Sequence, residues 1–417
     1  MTDKKRPELL VPAGSLETLK VAAAFGADAV YIGGEAFGLR AKAKNFTSGD
    51  MEAGIKYAHE RGVKVYVTAN IFAHNYDLEG IRKYFEELKT IKPDALIISD
   101  PGVFTIAKEI CPEIDIHIST QANNVNYETA KFWHSLGAKR VVSGREMSMA
   151  ELKEMKRNMP CGMELETFVH GSMCISYSGR CLLSAFLTGR DANRGECTHP
   201  CRWTYALMEE SRPGEYFPVF ENERGTYIFN SKDLCMIEYI PELMDAGIDS
   251  YKIEGRMKNA LYVATVARTY RKAIDDYLED PEKYHENMSW YKEQISNCTY
   301  RDFTTGFFFG KPTGNDQIYD TGTYKKDAVY LGYVRDTDEN GRAVFEQKNK
   351  FCKGDIIEIM KPSGENVQTE VLGIFDDEGN EQPSAPHSRQ NLHVEMSEKP
   401  GILDILRTPM YNTDDIS

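Results

Sequence analysis

Between residues 8 and 279, short apolar runs alternate with amphipathic stretches, which restricts this chain to a parallel α/β fold. ELLVPA, DAVYIGG, VKVYVTANI, DALIISD, IDIHIST, KRVVSG, MELETFVHG and SYKIEG read as strands, with a helical pattern after each. The first helix is bounded by Ser15 as N-cap and Gly26 as stop. Eight such units are the count of a (β/α)8 TIM-like barrel. A doubly wound open sheet needs fewer strands and a phosphate-binding glycine turn, and neither G-x-G-x-x-G nor G-x-x-x-x-G-K-[ST] occurs.

Barrel chemistry sits at the carboxy-terminal ends of the strands. Those ends carry Glu35 and Arg40, Asn70, Asp100, His117 with Thr120 and Gln121, Arg145, Glu166 with His170, and Glu254 with Arg256. Any one of them is equally well a helix cap or an internal ion pair. Convergence from seven strands favours a site. The expected domains are residues 1–322, a barrel with a cysteine-rich insertion over about 171–235, and 323–412, a small antiparallel β-barrel. A hairpin is expected at 221–232 and a link through 280–325.

The cysteines mark where the site lies. Of nine, Cys174, Cys181, Cys197 and Cys201 fall within one insertion after the seventh strand, and Cys235 follows. Clustered thiols in a cytosolic chain of this size bind metal or do redox chemistry more often than they form disulfides. Zinc prefers C-x2-4-C pairs, and only Cys197 with Cys201 fits that spacing. An iron–sulfur cluster needs four thiolates and accepts irregular spacing, which points to a 4Fe-4S cluster on Cys174, Cys181, Cys197 and Cys235, with Cys201 as a substitute for Cys235. Zinc is the alternative metal. Cys111, Cys161, Cys298 and Cys352 stand alone and read as small hydrophobes.

The formal net charge of −14 argues against a surface that binds nucleic acid throughout. Local basic patches remain: Lys252, Arg256, Lys258, Arg268, Arg271 and Lys272 face one acid, Glu254, and Arg180, Arg190, Arg194 and Arg202 surround the cysteines. Charge alone favours a solvated face. MTDKKRPELL lacks a secretory apolar stretch and no apolar run reaches the ~20 residues of a spanning helix, so the expected location is the cytoplasm, with no membrane partner.

The run Glu166-TFVHGSM-Cys174-ISYSGR-Cys181-LLS resembles the diagnostic pattern of peptidase family U-32, the collagenase-like peptidases. Similarity extends to PELLVPAGSLETLKVAAAFGADAVYIGG, to YKIEGRMKN and to TTGFFFG, covering nearly the whole chain. The resemblance implies hydroxylation of RNA or quinone with a cysteine-bound iron–sulfur cluster and prephenate as co-substrate. The carboxy-terminal domain is similar to that of the branch that converts the wobble uridine of the tRNA anticodon to 5-hydroxyuridine; a related branch modifies a ribosomal RNA cytidine. The implied site has Glu166, His170 and Glu254 moving protons, and Arg40, His117, Gln121, Arg145, Arg256 and Lys258 binding tRNA and a small dicarboxylate. Tyr177 and Phe186 offer a face for stacking bases. No helper protein can be read.

The residues themselves argue less well for a peptidase. H-E-x-x-H and G-x-S-x-G are absent, which leaves Cys174 with His170 as the one candidate nucleophile pair. Radical S-adenosylmethionine chemistry would need a cysteine where Thr204 stands.

Overall fold

The computed structural model describes residues 5–35, 37–38, 45–174, 176–177, 179–203, 206–208, 216–218, 230–312, 317–318, 325–362 and 364–409. Arg40, Thr204 and most of the expected 221–232 hairpin lie outside these residues.

Strands β1 (Glu8–Pro12), β2 (Ala29–Gly33), β3 (Lys64–Ala69), β4 (Ala95–Ile98), β5 (Asp115–Ile118), β6 (Arg140–Val142) and β7 (Glu164–Ser172) pair in order, all parallel. The eighth strand, Ser250–Ile253, pairs in parallel with both β7 and β1 and closes the barrel. Helices α1 (Leu16–Ala24), α2 (Ser48–His59), α3 (Leu78–Ile91), α4 (Pro101–Ile110), α5 (Tyr127–Ser135) and α6 (Met149–Asn158) cover the outside. The first one starts as its sequence dictates, with Ser15 and Thr18 in a reciprocal capping box. Asp100 caps α4 ahead of Pro101, and Asn126 and Ser148 cap α5 and α6.

The barrel interior is plugged by charge at its lower end. Arg140 donates to Glu8 at 2.6 Å, to Glu164 at 2.6 Å and to Glu166 at 2.9 Å, and Lys252 donates to Glu166 at 2.6 Å. Tyr66 and Ser250 donate to Glu8 at 2.6 and 2.9 Å. Burial works against charge on Arg140, yet Glu8 and Glu166 beside it hold the guanidinium well above its ordinary range. Removing one member of such a network leaves an uncompensated buried charge, at about 3–5 kcal/mol. Beside these charges Leu10, Tyr31, Tyr66 and Ile97 pack together inside the barrel.

Residues 280–325 are more than a link, because they contain the helices Pro281–Glu286 and Met288–Ser296. Asp280 caps the first, and Tyr284, Tyr291 and Ile295 bury their side chains against the barrel's outer layer. The carboxy-terminal unit is an antiparallel sheet in the order 328–333, 405–409, 356–360, 366–375, 391–396, 343–346, 336–337. It curls into a half-barrel: its seam is crossed by Lys348 N to Leu331 O and Arg335 N to Val344 O, both 2.8 Å, without a continuous ladder.

That half-barrel is fastened to helix Ala260–Glu279, which is buried on nearly every side between it and the barrel. Arg268 donates to Asn366 Oδ1 at 2.9 Å and to Gln294 Oε1 at 2.8 Å, and Arg407 donates to the same Gln294 oxygen at 3.2 Å. Burial, with Arg407 nearby, lowers the Arg268 guanidinium to about 9. No described helix is long and apolar enough to cross a membrane.

Candidate functional site

Strand β7 is the longest in the barrel, and its ladder with the eighth strand skips one residue. Phe168 pairs with Lys252 and His170 with Ile253, so Val169 is the extra residue of a bulge. Below the bulge, Glu166 and Phe168 face the interior. Beyond it the alternation is reversed, and His170 faces outward among the rings of Tyr262, Tyr270 and Phe303 at 6.0, 5.5 and 5.7 Å. Gly171, at φ 104°, then turns the chain back to the mouth, where an added Cβ would lie 2.5 Å from Glu254 O.

The insertion leaves from this point and returns as Asp233–Cys235, antiparallel to the end of β7. It is tied to the opposite rim. Arg194 donates to Asp77 Oδ2 at 2.9 Å, to Asp77 Oδ1 at 3.1 Å and to Phe72 O at 3.1 Å. Phe72 N donates to Asn193 O at 3.2 Å, and Asn193 Nδ2 donates to Cys181 O at 2.9 Å. Thr198 N donates to Ser184 Oγ at 3.1 Å, holding the Cys181 and Cys197 segments side by side. Gly179 seats this insertion against β5, since a Cβ there would stand 2.4 Å from Gln121 O.

Together these elements enclose a cavity of about 220 Å³ at the mouth. Cys174, Cys181, Cys197 and Cys201 all line it, as do Gln121, Arg145, Glu254 and Arg256. Cys181 and Cys197 stand within electrostatic reach of Cys174. Arg145 lies 4.0 Å over the Phe168 ring and donates to Glu254 Oε2 and to Ser172 O, each at 2.9 Å. Arg256 donates to Thr68 Oγ1 at 2.9 Å and crosses β2 so closely that a Cβ on Gly33 would meet its Nη1 at 2.1 Å.

Other expected site residues lie elsewhere. Glu166 is one layer down in the ion network and reaches the cavity through Lys252. His117 packs edge-on against Tyr66 at 4.7 Å; burial, then Arg140 and Lys252, push its imidazole well below the ordinary range. Burial and then Lys258 lower His170 to about 3. Lys258 donates to Thr299 O at 3.2 Å and lies over Tyr262. Cys235 does not line the cavity: its sulfur packs 3.9 Å from Tyr270 Oη, and burial pushes the thiol up to about 11.

Sequence reasoning missed Tyr31, Thr68 and Ser119, which line the cavity, and named Lys252 only as part of a basic patch. The signal for Lys252 was present. Alternation along SYKIEG puts it on the same side as Ser250, inside the barrel, and its ammonium lies 4.7 Å over the Tyr31 ring.

Chemically, the cavity joins four cysteines and His199 to three cations and one carboxylate. Four cysteines fit an iron–sulfur cluster or a structural zinc by donor type. As they stand, no three His, Cys, Asp or Glu side chains among the described residues are gathered closely enough to chelate one ion. The Cys174–His170 pair is not assembled, because Cys174 lines the cavity while His170 faces the outer helix.

Comparison with known proteins agrees with this architecture. Residues 14–318 match the model of Peptidase family U32, and 326–407 match the Peptidase family U32 C-terminal domain. The chain is 41% identical over 396 residues to tRNA hydroxylation protein P1 of Bacillus subtilis, covering 95% of this chain and 93% of that protein. It is 37% identical to tRNA hydroxylation protein P of Escherichia coli, covering 91% and 92%. It is 33% identical to a protein of Porphyromonas gingivalis named Collagenase, covering 85% and 87%. A matched barrel and a matched carboxy-terminal domain, found together in relatives of about the same length, make this chain a member of peptidase family U32.

Proposed function

We propose that this chain is a cytoplasmic tRNA-modifying enzyme that hydroxylates the wobble uridine of the anticodon to 5-hydroxyuridine, with a 4Fe-4S cluster and prephenate. The observation that carries this reading is that four thiols and three cations line a single cavity. The names of the relatives from B. subtilis and E. coli support the same substrate class. Cys174, Cys181 and Cys197 hold the cluster, with Cys201 rather than Cys235 as fourth ligand, since Cys201 shares their cavity. Bound there, the cluster would supply one-electron redox chemistry.

The protein's own groups do the rest. Arg145 and Arg256 clamp the carboxylates of the diacid, and Lys252, held by Glu166, supplies a third positive charge from below. Glu254, oriented by Arg145, holds or moves a proton inside the mouth cavity. Thr68, Asn70 and Ser119 give the cavity a polar wall. His170 and Glu166 position other groups.

The test is anaerobic purification combined with nucleoside mass spectrometry of tRNA from cells lacking the protein. A brown, iron-containing protein and the loss of 5-hydroxyuridine derivatives, restored by wild type but not by Cys197→Ser, are expected. A colourless zinc protein with intact 5-hydroxyuridine would overturn the reading. Hydrolysis of denatured collagen by the metal-free protein would replace it with the peptidase reading suggested by the Collagenase relative.

A further inference from the structure

The loop Thr304–Gly310, the TTGFFFG sequence, takes no part in the mouth cavity. It walls a second, larger cavity of about 590 Å³ on the outer side of the same cysteine segment. Met173, Cys174 and Tyr177 line both spaces and so form a partition between them. The loop is fixed in place. Phe308 is buried and its carbonyl accepts from Met149 N at 2.9 Å, while Gly306, at φ 57°, lies so close to Met173 that an added Cβ would stand 3.2 Å from its Cε.

The chemistry of this second space differs from that of the first. Phe307 and Tyr177 contribute aromatic surface, and Lys232 and Lys311 contribute positive charge. Glu151 is already engaged with Ser148, at 2.7 Å to its N and 2.6 Å to its Oγ. Glu146 Oε2, by contrast, is buried and has no hydrogen-bond partner among the described residues. An aromatic face with cations around it matches an extruded pyrimidine nucleotide: the ring stacks and the phosphates meet lysine. A volume of this size suits a nucleotide.

We infer that the cavity between Thr304–Lys311 and Cys174–Tyr177 receives the extruded uridine of the RNA, while the mouth cavity keeps the diacid, with Cys174 in the wall between the two substrates. This rests on the RNA reading proposed above. It adds that the two substrates bind side by side without competing.

The experiment uses anaerobically purified protein and an anticodon stem-loop RNA with 5-bromouridine at the wobble position, photo-cross-linked and mapped by peptide mass spectrometry. Adducts on Tyr177 or within Thr304–Lys311 are expected, together with undiminished RNA affinity at saturating prephenate. Phe307→Ala and Lys311→Glu should each weaken RNA binding at least tenfold with diacid affinity intact, and Phe307→Tyr should restore it. Adducts elsewhere, or displacement of RNA by prephenate, overturn the two-cavity assignment and leave the RNA reading standing. Failure to retain any RNA overturns that reading and this inference with it.

Discussion

The mouth and the packed interior of this protein differ in what surrounds their thiols, although burial raises the thiol of Cys174 as well as those of the interior. At the mouth, Cys174 and Cys197 are exposed, and Cys181 and Cys201 are half-buried, around a cavity shared with Arg145, Lys252 and Arg256. In the interior, burial pushes the thiols of Cys111 and Cys298 up to about 11 and about 12. Cys235 is partly exposed as a residue, yet its sulfur is packed against Tyr270 and behaves like the interior set, at about 11. A thiol at that value is ionised in only about one molecule in ten thousand at neutral pH. The contrast separates thiols that line the mouth from thiols packed against the barrel's outer layer, and position in the sequence does not show which is which.

The sharpest way to break this comparison is serine substitution. Cys174→Ser, Cys181→Ser, Cys197→Ser and Cys201→Ser should each abolish visible absorption and lower tRNA modification by more than about 100-fold, because an iron–sulfur core needs all its thiolates. Cys235→Ser should keep its iron, measured by absorption and metal analysis; an iron-free Cys235→Ser with an intact Cys201→Ser would reverse the assignment. Next in size is alkylation of metal-free protein. Cys181, Cys197 and Cys201, which line the cavity, should react with iodoacetamide on the order of 100 times faster than Cys111, Cys235 and Cys298, the difference vanishing in denaturant. Equal rates would erase the distinction.

A smaller effect sharpens the mouth side. Arg145→Ala removes one clamp from the cavity and the Arg145 hydrogen bond to Glu254, so prephenate binding by calorimetry should weaken about tenfold, corresponding to about 1.4 kcal/mol. The smallest effect concerns the interior. Because the folded state holds His117 well below its ordinary pKa of 6.5, the unfolded chain takes up a proton that the folded chain refuses as pH falls below that value. Stability therefore declines on acidification at up to about 1.4 kcal/mol per pH unit from this group. His117→Gln removes that contribution, so the stability gap between wild type and variant in urea titrations should narrow between pH 7 and pH 5. A constant gap would mean that His117 is not held neutral.

Much of the architecture was written in local pattern. All eight barrel strands fall where short apolar runs place them, and Ser15, Asp100 and Ser148 cap the helices that their residue types announce. Site residues were legible where strand ends stayed regular, as with Gln121, Arg145, Glu254 and Arg256. The pattern failed at β7, because the extra residue Val169 reverses the alternation and sends His170 outward, and nothing in ETFVHGS marks that skip. It failed for Glu166 and His117 for a different reason. Both do face inward, but strand position alone does not say which layer of the barrel a side chain occupies.

The anchoring of the half-barrel has a mechanical consequence. Arg268 and Arg407 converge on one Gln294 oxygen in a buried junction, so this appendage cannot swing on the barrel without stripping guanidinium groups of their partners. The half-barrel is therefore held at a set distance from the mouth of the barrel.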